Sequence, residues 1–293
     1  MANAETILAP AKVNLHLGVH AHRDARGYHR VDSVMVALSL ADKITVCDAP
    51  GLCVSFEPPI DAPLEKTTVW RAASLLASEL GVDPAVSITI ERHIPEKAGL
   101  GGSSADAGTT LRLLARRWGV SPNDPRVVSV ARRVGADVAF FLNPSAAFLA
   151  GAGDELVETF SQVPPLQMVL VMPECDGGST PAAYAEFDEH PVEPTSPEPM
   201  RAALRAGDAA AVAQLLANNL APAAIALAPE VGEAEAWLKA QPGVVAAQVT
   251  GSGSCSFAIV DGENAAENIA REAKIRGWWA KPAKTVGFAR DFC

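Results

Sequence analysis

Ile94-Pro95-Glu96-Lys97-Ala98-Gly99-Leu100-Gly101-Gly102-Ser103-Ser104-Ala105-Asp106-Ala107-Gly108 opens a segment that continues at helical spacing to Gly119. Gly99, Gly101 and Gly102 carry no Cβ, so the backbone can turn sharply there and approach a ligand closely. Ser103 or Ser104 is the expected cap of the helix that follows, with Asp106 in its first turn. Ala107, Leu111, Leu114 and Trp118 recur at helical intervals and predict a buried face. Gly119 suits the helix end. A glycine loop feeding a helix N-terminus aims several amide N–H groups at one point, with the positive end of the macrodipole behind them. That is an anion site, and phosphate is its commonest occupant. Three glycines and two serines within the six residues 99–104 favour it over a plain strand-to-helix turn.

Better-known phosphate motifs are excluded. The chain has no Gly-x-x-x-x-Gly-Lys-Ser/Thr, so there is no P-loop. Ser104 stands where the last glycine of Gly-x-Gly-x-x-Gly would be. His22-Arg23-Asp24 spells a protein-kinase triplet, but no asparagine follows at the required offset and Asp-Phe-Gly is absent, so the triplet is read as chance.

The 293 residues make one large domain or two ordinary ones, and 49% hydrophobic with 20% charged residues supports a sizeable core. A formal net charge of -10 argues against nucleic acid as a partner. An anionic substrate therefore needs locally placed cations or N–H groups. Cys47, Cys53, Cys175, Cys255 and Cys293 are scattered and lack C-x-x-C spacing, which predicts reduced thiols and a cytoplasmic setting. No signal-peptide pattern and no bilayer-length apolar run is present, so no membrane partner is expected. A monomer or weak homodimer is expected.

From Ala11 the N-terminus alternates. Ala11, Val13, Leu15 and Leu17 face one way, and Lys12, Asn14 and His16 the other. Taken alone, that polar row reads as a solvated edge, and the histidines near it lack the spacing of a zinc site. Gly27-Tyr28-His29 belongs to a turn. Residues 32–46 alternate as a strand, with a break near Ala41-Asp42. Residues 69–80 predict a helix ending at Gly81, and residues 86–90 a strand into the glycine loop. Asp124-Pro125 starts a helix that ends near Gly135. Asp137 follows at a helix-to-strand junction, well placed to protrude into a cleft, before the apolar run 138–142. Gly151-Ala152-Gly153-Asp154 marks a turn near the end of a first domain, set at 1–157, with the second at 158–293. Residues 168–172 form a strand, and the acidic, proline-rich stretch 186–199 reads as a mobile loop. Residues 202–220 and 231–240 predict helices. Thr250-Gly251-Ser252-Gly253, between the strands 244–249 and 257–260, is longer than a hairpin turn needs and reads as a ligand-facing loop. A last helix spans 263–276, before a short terminal strand.

Pro10-Ala11-Lys12-Val13-Asn14-Leu15, Gly27-Tyr28-His29, the loop from Pro95 to Ala107, and Thr250-Gly251-Ser252-Gly253 occur in the order and at about the spacing seen in one family. The whole chain resembles the GHMP small-molecule kinases. The resemblance implies an α/β (α+β) two-domain fold with the active site between the domains. Its N-terminal ATP-binding domain would carry a left-over-right type βαβ glycine loop, and its C-terminal domain would be ferredoxin-like. The Pro-Ala-Lys-x-Asn-Leu start, Gly-Tyr-His and Gly-Ala-Asp-Val point to members that phosphorylate the 2-hydroxyl of a cytidine-diphosphate-linked methylerythritol in the non-mevalonate isoprenoid route. Homoserine and phosphomevalonate kinases are the alternatives within the family. A catalytically dead nucleotide-binding relative is a third possibility, against which the retention of Lys12 and Asp137 argues.

The resemblance also implies roles. Pro95, Ala98, Gly99, Leu100, Gly101, Gly102, Ser103, Ser104 and Ala105 would bind ATP, with the Gly99 to Ser104 amides cradling its phosphates. Thr67 would lie in the adenine pocket, where many members have asparagine. Ser103 replaces a glycine of many members, and Ala105 a serine. Asp137 would accept the proton of the attacking hydroxyl. Lys12 would steady that carboxylate and the transferring phosphoryl group. Asn14 would orient the polyol, and Thr180, Gly251, Ser252 and Gly253 would line the substrate site. Tyr28 and Tyr184 would sandwich the cytosine, with His29 bonding its edge. Mg²⁺ would bridge phosphate oxygens, with no direct protein ligand assigned.

Overall fold

Two β-sheets carry the site between them. The computed structural model describes residues 4–175 and 178–287. Cys293 lies outside them, and the other four cysteines are free thiols.

The first sheet is built on a long antiparallel hairpin, β1 (Glu5–Arg23) and β2 (His29–Asp48). β3 (Cys53–Glu57), α1 (Thr68–Leu80) and β4 (Val86–Glu91) follow, with β3 parallel to β4 and β4 antiparallel to β2. The glycine loop then enters α2 (Gly102–Arg117), which is followed by α3 (Pro125–Val134). β5 (Ala147–Ala150) and β6 (Glu155–Thr159) complete the run, with β5 on β2. α1 begins where Thr67 accepts the Trp70 amide and ends at left-handed Gly81. Asp124 caps α3, with Pro125 at its first position. Both ends follow the sequence signals.

The second sheet has the order β11-β7-β10-β9 and is antiparallel throughout. In chain order this part of the chain begins with β7 (Gln167–Met172), then α4 (Thr180–Glu189), α5 (Glu198–Ala206), α6 (Ala209–Gln214), β8 (Ala217–Asn218), which joins the first sheet, α7 (Ala221–Leu227) and α8 (Pro229–Lys239). β9 (Val244–Val249), β10 (Ser256–Val260), α9 (Glu263–Ile275) and β11 (Trp279–Lys284) close the chain. Numbered by its own strands, the order is 4-1-3-2 with helices in the two crossovers, the ferredoxin-like arrangement that the resemblance implied.

Four expectations need correction. β2 continues as one strand through Ala41-Asp42, where only its pairing with β1 shifts register, between Ala37 and Ala41, because Asp42 is buried and accepts the His93 and Ile94 amides instead of opening a turn. Residues 136–142 form a 3₁₀ helix rather than a strand. The predicted helix 202–220 is divided by left-handed Gly207 and ends before β8, two residues that pair in parallel with β1. The proline-rich stretch is partly helical, since α4 continues to Glu189 and α5 begins at Glu198.

The alternation of β1 is real, but its polar row is not a solvated edge. Ala11, Val13 and Leu15 enter the core between the sheets, while Lys12, Asn14 and His16 are also almost fully covered. Buried polar groups demand partners, and those of Lys12 and Asn14 form the site.

Candidate active site

A cleft of about 960 Å³ runs between the glycine loop, the β1–β2 hairpin and α4. At its centre the β1 backbone meets two loops. The Lys12 amide donates to Leu100 O at 2.9 Å. The Asn14 amide donates to Thr250 Oγ1 at 3.2 Å. The two loops also join each other, with Ser254 N to Lys97 O at 3.1 Å and Cys255 N to Ala98 O at 3.2 Å.

The glycine loop reaches this position through left-handed Gly99 (φ 70°) and Gly101 (φ 74°). Gly101 is the residue before α2, and no side chain caps the helix. The expectation that Ser103 or Ser104 would cap it is therefore corrected: the helix starts earlier, and both serines lie in its first turn. The first bond of the turn runs from Ala105 N to Gly101 O at 2.8 Å, so the Gly102, Ser103 and Ser104 amides have no intrahelical acceptor. All three residues line the cleft, which matches an anion site at a helix N-terminus.

Lys12 Nζ donates to Asn14 Oδ1 at 2.7 Å and to Gly99 O at 2.8 Å. It stands 3.7 Å from Asp137 Oδ2, with the lysine side chain 4% and the aspartate 35% exposed. Burial pushes the Lys12 ammonium below the usual lysine range, opposed by the Asp137 charge. Asp137 is the second residue of the 3₁₀ helix that follows α3 and Gly135. That helix lies tight against α2, since a Cβ on Gly108 would come within 2.5 Å of Phe141 Cβ. Asn14 Nδ2 donates to Ser33 Oγ at 2.9 Å, so the asparagine first serves to hold the lysine.

Of the other expected residues, Pro95, Thr67, Tyr28, His29, Thr180, Tyr184, Gly251 and Ser252 line the cleft. Ala98, Leu100 and Ala105 are buried beneath it. Gly253 turns toward Ala224. The Thr67 hydroxyl is engaged in the α1 cap and donates to Leu64 O at 2.6 Å. Thr180, the first residue of α4, shares a hydrogen bond of 3.0 Å with Ser252, which ties α4 to the second glycine loop. Tyr184 stacks on His29 with centroids 5.3 Å apart, and Tyr28 stands 58% exposed. Burial raises the Tyr184 hydroxyl above the usual tyrosine range, helped by the Asp137 charge.

The sequence did not single out Arg23, Asp188, Asp42 or Asp106, which also line the cleft. Asp188 pairs with Arg23 and lies 3.1 Å from His29 Nε2. It falls one helical turn after Tyr184, and that spacing was the available signal. Asp106 was read only as a first-turn acid. It shares a hydrogen bond with Asp42, and burial together with the Asp42 charge raises its carboxyl well above the usual range. Burial raises Asp42 as well, opposed by the amides of His93 and Ile94. Two buried carboxyls in contact hold a proton between them, so Asp106 donates to Asp42 and fastens α2 to the approach to the glycine loop.

A proton retained by Asp106 in the folded chain is surrendered on unfolding above the ordinary value of 3.8. The associated stability is complete below that pH and is lost as pH rises through the folded value. Asp106→Asn keeps a donor for Asp42 without the proton uptake. It should raise the melting temperature at neutral pH and flatten the decline that sets in as pH rises above the ordinary carboxyl value of 3.8. Parallel melting curves for the two proteins across that range would rule out the shared proton.

Comparison with known proteins accords with this geometry. Residues 67–144 match the GHMP kinases N terminal domain, and residues 200–277 the GHMP kinases C terminal. A 4-diphosphocytidyl-2-C-methyl-D-erythritol kinase of Methylorubrum extorquens is 33% identical, over 95% of this chain and 98% of its own. One of Cereibacter sphaeroides is 35% identical, over 95% and 98% respectively. A crystal structure of 4-(cytidine 5'-diphospho)-2C-methyl-D-erythritol kinase, 31% identical, superposes with a TM-score of 0.78 and covers 97% of this chain and 100% of that one. No helix among the described residues is long and apolar enough to cross a membrane. With Lys12, Asp137 and the open amides of α2 gathered in one cleft, the chain belongs to the GHMP kinases, and within them to the 4-diphosphocytidyl-2-C-methyl-D-erythritol kinase family.

Proposed function

We propose that the protein transfers the γ-phosphoryl group of ATP to the 2-hydroxyl of 4-diphosphocytidyl-2-C-methyl-D-erythritol, a cytoplasmic step of non-mevalonate isoprenoid synthesis that yields the 2-phosphate and ADP. The observation that carries this is the Lys12–Asp137 pair, 3.7 Å apart beside an uncapped helix N-terminus. Residues 1–157 would form the ATP side and residues 158–293 the substrate side.

The Gly99 to Ser104 segment holds the triphosphate through backbone donors and the α2 dipole. The adenine end lies toward Phe56, Ile60 and Thr67, which line the cleft beyond it. Asp137 accepts the proton of the 2-hydroxyl as its oxygen attacks. Lys12, fixed from below by Asn14 and Gly99, places positive charge where the phosphoryl oxygens gain negative charge. Among the described residues no group of three or more His, Cys, Asp or Glu is set to hold a metal. The hard oxygens of Ser103, Ser104 and Asp137 fit Mg²⁺ carried mainly by ATP phosphates. When bound, the ion neutralises charge on those phosphates. Tyr28 and Tyr184 supply the two faces of the pyrimidine slot, with His29 at its edge, and Thr180, Gly251 and Ser252 support the diphosphate and polyol.

A coupled ADP-release assay tests the substrate. 4-Diphosphocytidyl-2-C-methyl-D-erythritol should sustain turnover, and homoserine or phosphomevalonate should not. Turnover on either of those alone would replace the proposed substrate.

A further inference from the structure

Asp154 is a buried carboxylate, with a side chain 2% exposed, on the turn between β5 and β6. Three donors converge on it. Oδ1 accepts the Ala152 amide at 3.0 Å. Oδ2 accepts from Arg26 Nη1 and from Arg132 Nε, each at 3.0 Å. Each donor leads to a different wall of the cleft. Ala152 lines it directly. Arg132 lies on α3, within a turn of Gly135, where the chain passes into the segment bearing Asp137. Arg26 lies two residues before Tyr28.

The Arg26 guanidinium sits over the Tyr28 ring, its carbon 5.4 Å from the centroid. The same guanidinium is held a second time by Asp24, Nε to Oδ2 at 2.8 Å. Asp24 Oδ1 in turn accepts the amides of Arg26 at 2.9 Å and Tyr28 at 3.0 Å. Tyr28 is a highly exposed aromatic, and such a ring ordinarily samples several rotamers. Here a cation covers one face and leaves the other open. An exposed ion pair adds little stability, but one anchored on a buried carboxylate fixes position.

We propose that Asp154 and Arg26 are positioning residues for the pyrimidine end of the substrate: Asp154 anchors Arg26, Arg26 holds the Tyr28 ring in place to stack a base, and Arg132 links the same anchor to the catalytic aspartate. This rests on the assignment of Tyr28 to the pyrimidine slot. A ring ordered before binding loses less freedom when the base arrives.

Arg26→Met keeps the apolar stem and removes both ion pairs. It should raise KM for 4-diphosphocytidyl-2-C-methyl-D-erythritol roughly tenfold, the lower part of the range for losing one base–aromatic stack. KM for ATP and kcat should move less than about twofold, because the change lies at the base and not at the phosphates. Arg26→Lys, which keeps a cation near Asp154, should recover part of the loss. In a Tyr28→Ala background Arg26→Met should add nothing further, as expected for residues acting through one another. Asp154→Asn should show the same KM rise with a fall in kcat, since it also loosens Arg132. A substrate KM within twofold of wild type in Arg26→Met, or full additivity with Tyr28→Ala, overturns the proposal and leaves the substrate assignment intact. Absence of wild-type turnover on this substrate would bring down both.

Discussion

Asp137→Asn should lower kcat by roughly 10²–10⁴-fold, the usual contribution of a positioned general base, and should leave ATP affinity nearly unchanged. The substitution leaves the neighbouring groups in place, although it also removes the charge that favours the Lys12 ammonium. Lys12 is already bonded to Asn14 Oδ1 and Gly99 O, at 2.7 and 2.8 Å, so it keeps its place when the carboxylate charge is removed. Asp137 is 35% exposed, so an amide there strands no buried group. The open amides belong to the first turn of α2, an element separate from the 3₁₀ helix that carries Asp137. ADP release and nucleotide binding, measured on the same preparation, separate chemistry from affinity. A variant that retained more than about a tenth of the wild-type rate would show that Lys12 and substrate positioning carry the reaction without a base.

Much of this site was legible because its signals are local. The glycine loop, the Gly81 stop of α1, the Asp124 cap and the alternation of β1 each depend on residues a few positions apart, and each appears in the structure. What stayed hidden depends on contacts between distant segments. The polar row of β1 reads as an edge until the glycine loop and Thr250 are seen to cover it. The run 138–142 is apolar at every position, so periodicity cannot distinguish strand from helix. The close approach of α2 at Gly108 leaves room for a 3₁₀ turn there. Gly207 interrupts a helical pattern that extends beyond it on both sides. The acid pair joins residues 42 and 106, which no window of sequence contains together. The same holds for Asp154, which local reading treated as a turn former, although its carboxylate connects a hairpin, a helix and a cleft wall.

Gly99→Ala should abolish productive ATP binding and lower stability by roughly 2–5 kcal/mol, combining left-handed strain with overpacking. Two independent effects act at this position. Its φ of 70° lies where an L side chain is strained. An added Cβ would also stand 2.2 Å from Thr250 O and 3.0 Å from Gly253 O. Both of those atoms are backbone, in a loop pinned by the bonds from Ser254 to Lys97 and from Cys255 to Ala98, so no side-chain rotation relieves the clash. The two loops must separate, and that movement carries away Gly99 O, one of the acceptors that hold Lys12 Nζ. Nucleotide affinity and the lysine position should therefore fail together. Gly81→Ala is the matching control, because Gly81 has a similar φ of 67° but nothing within 4 Å of an added Cβ. It should cost only the strain, about 1–2 kcal/mol, and keep ATP binding. Thermal unfolding and nucleotide titration of the two variants decide the matter: equal losses in both would mean that conformational strain alone, and not the contact between the two loops, explains why glycine stands at position 99.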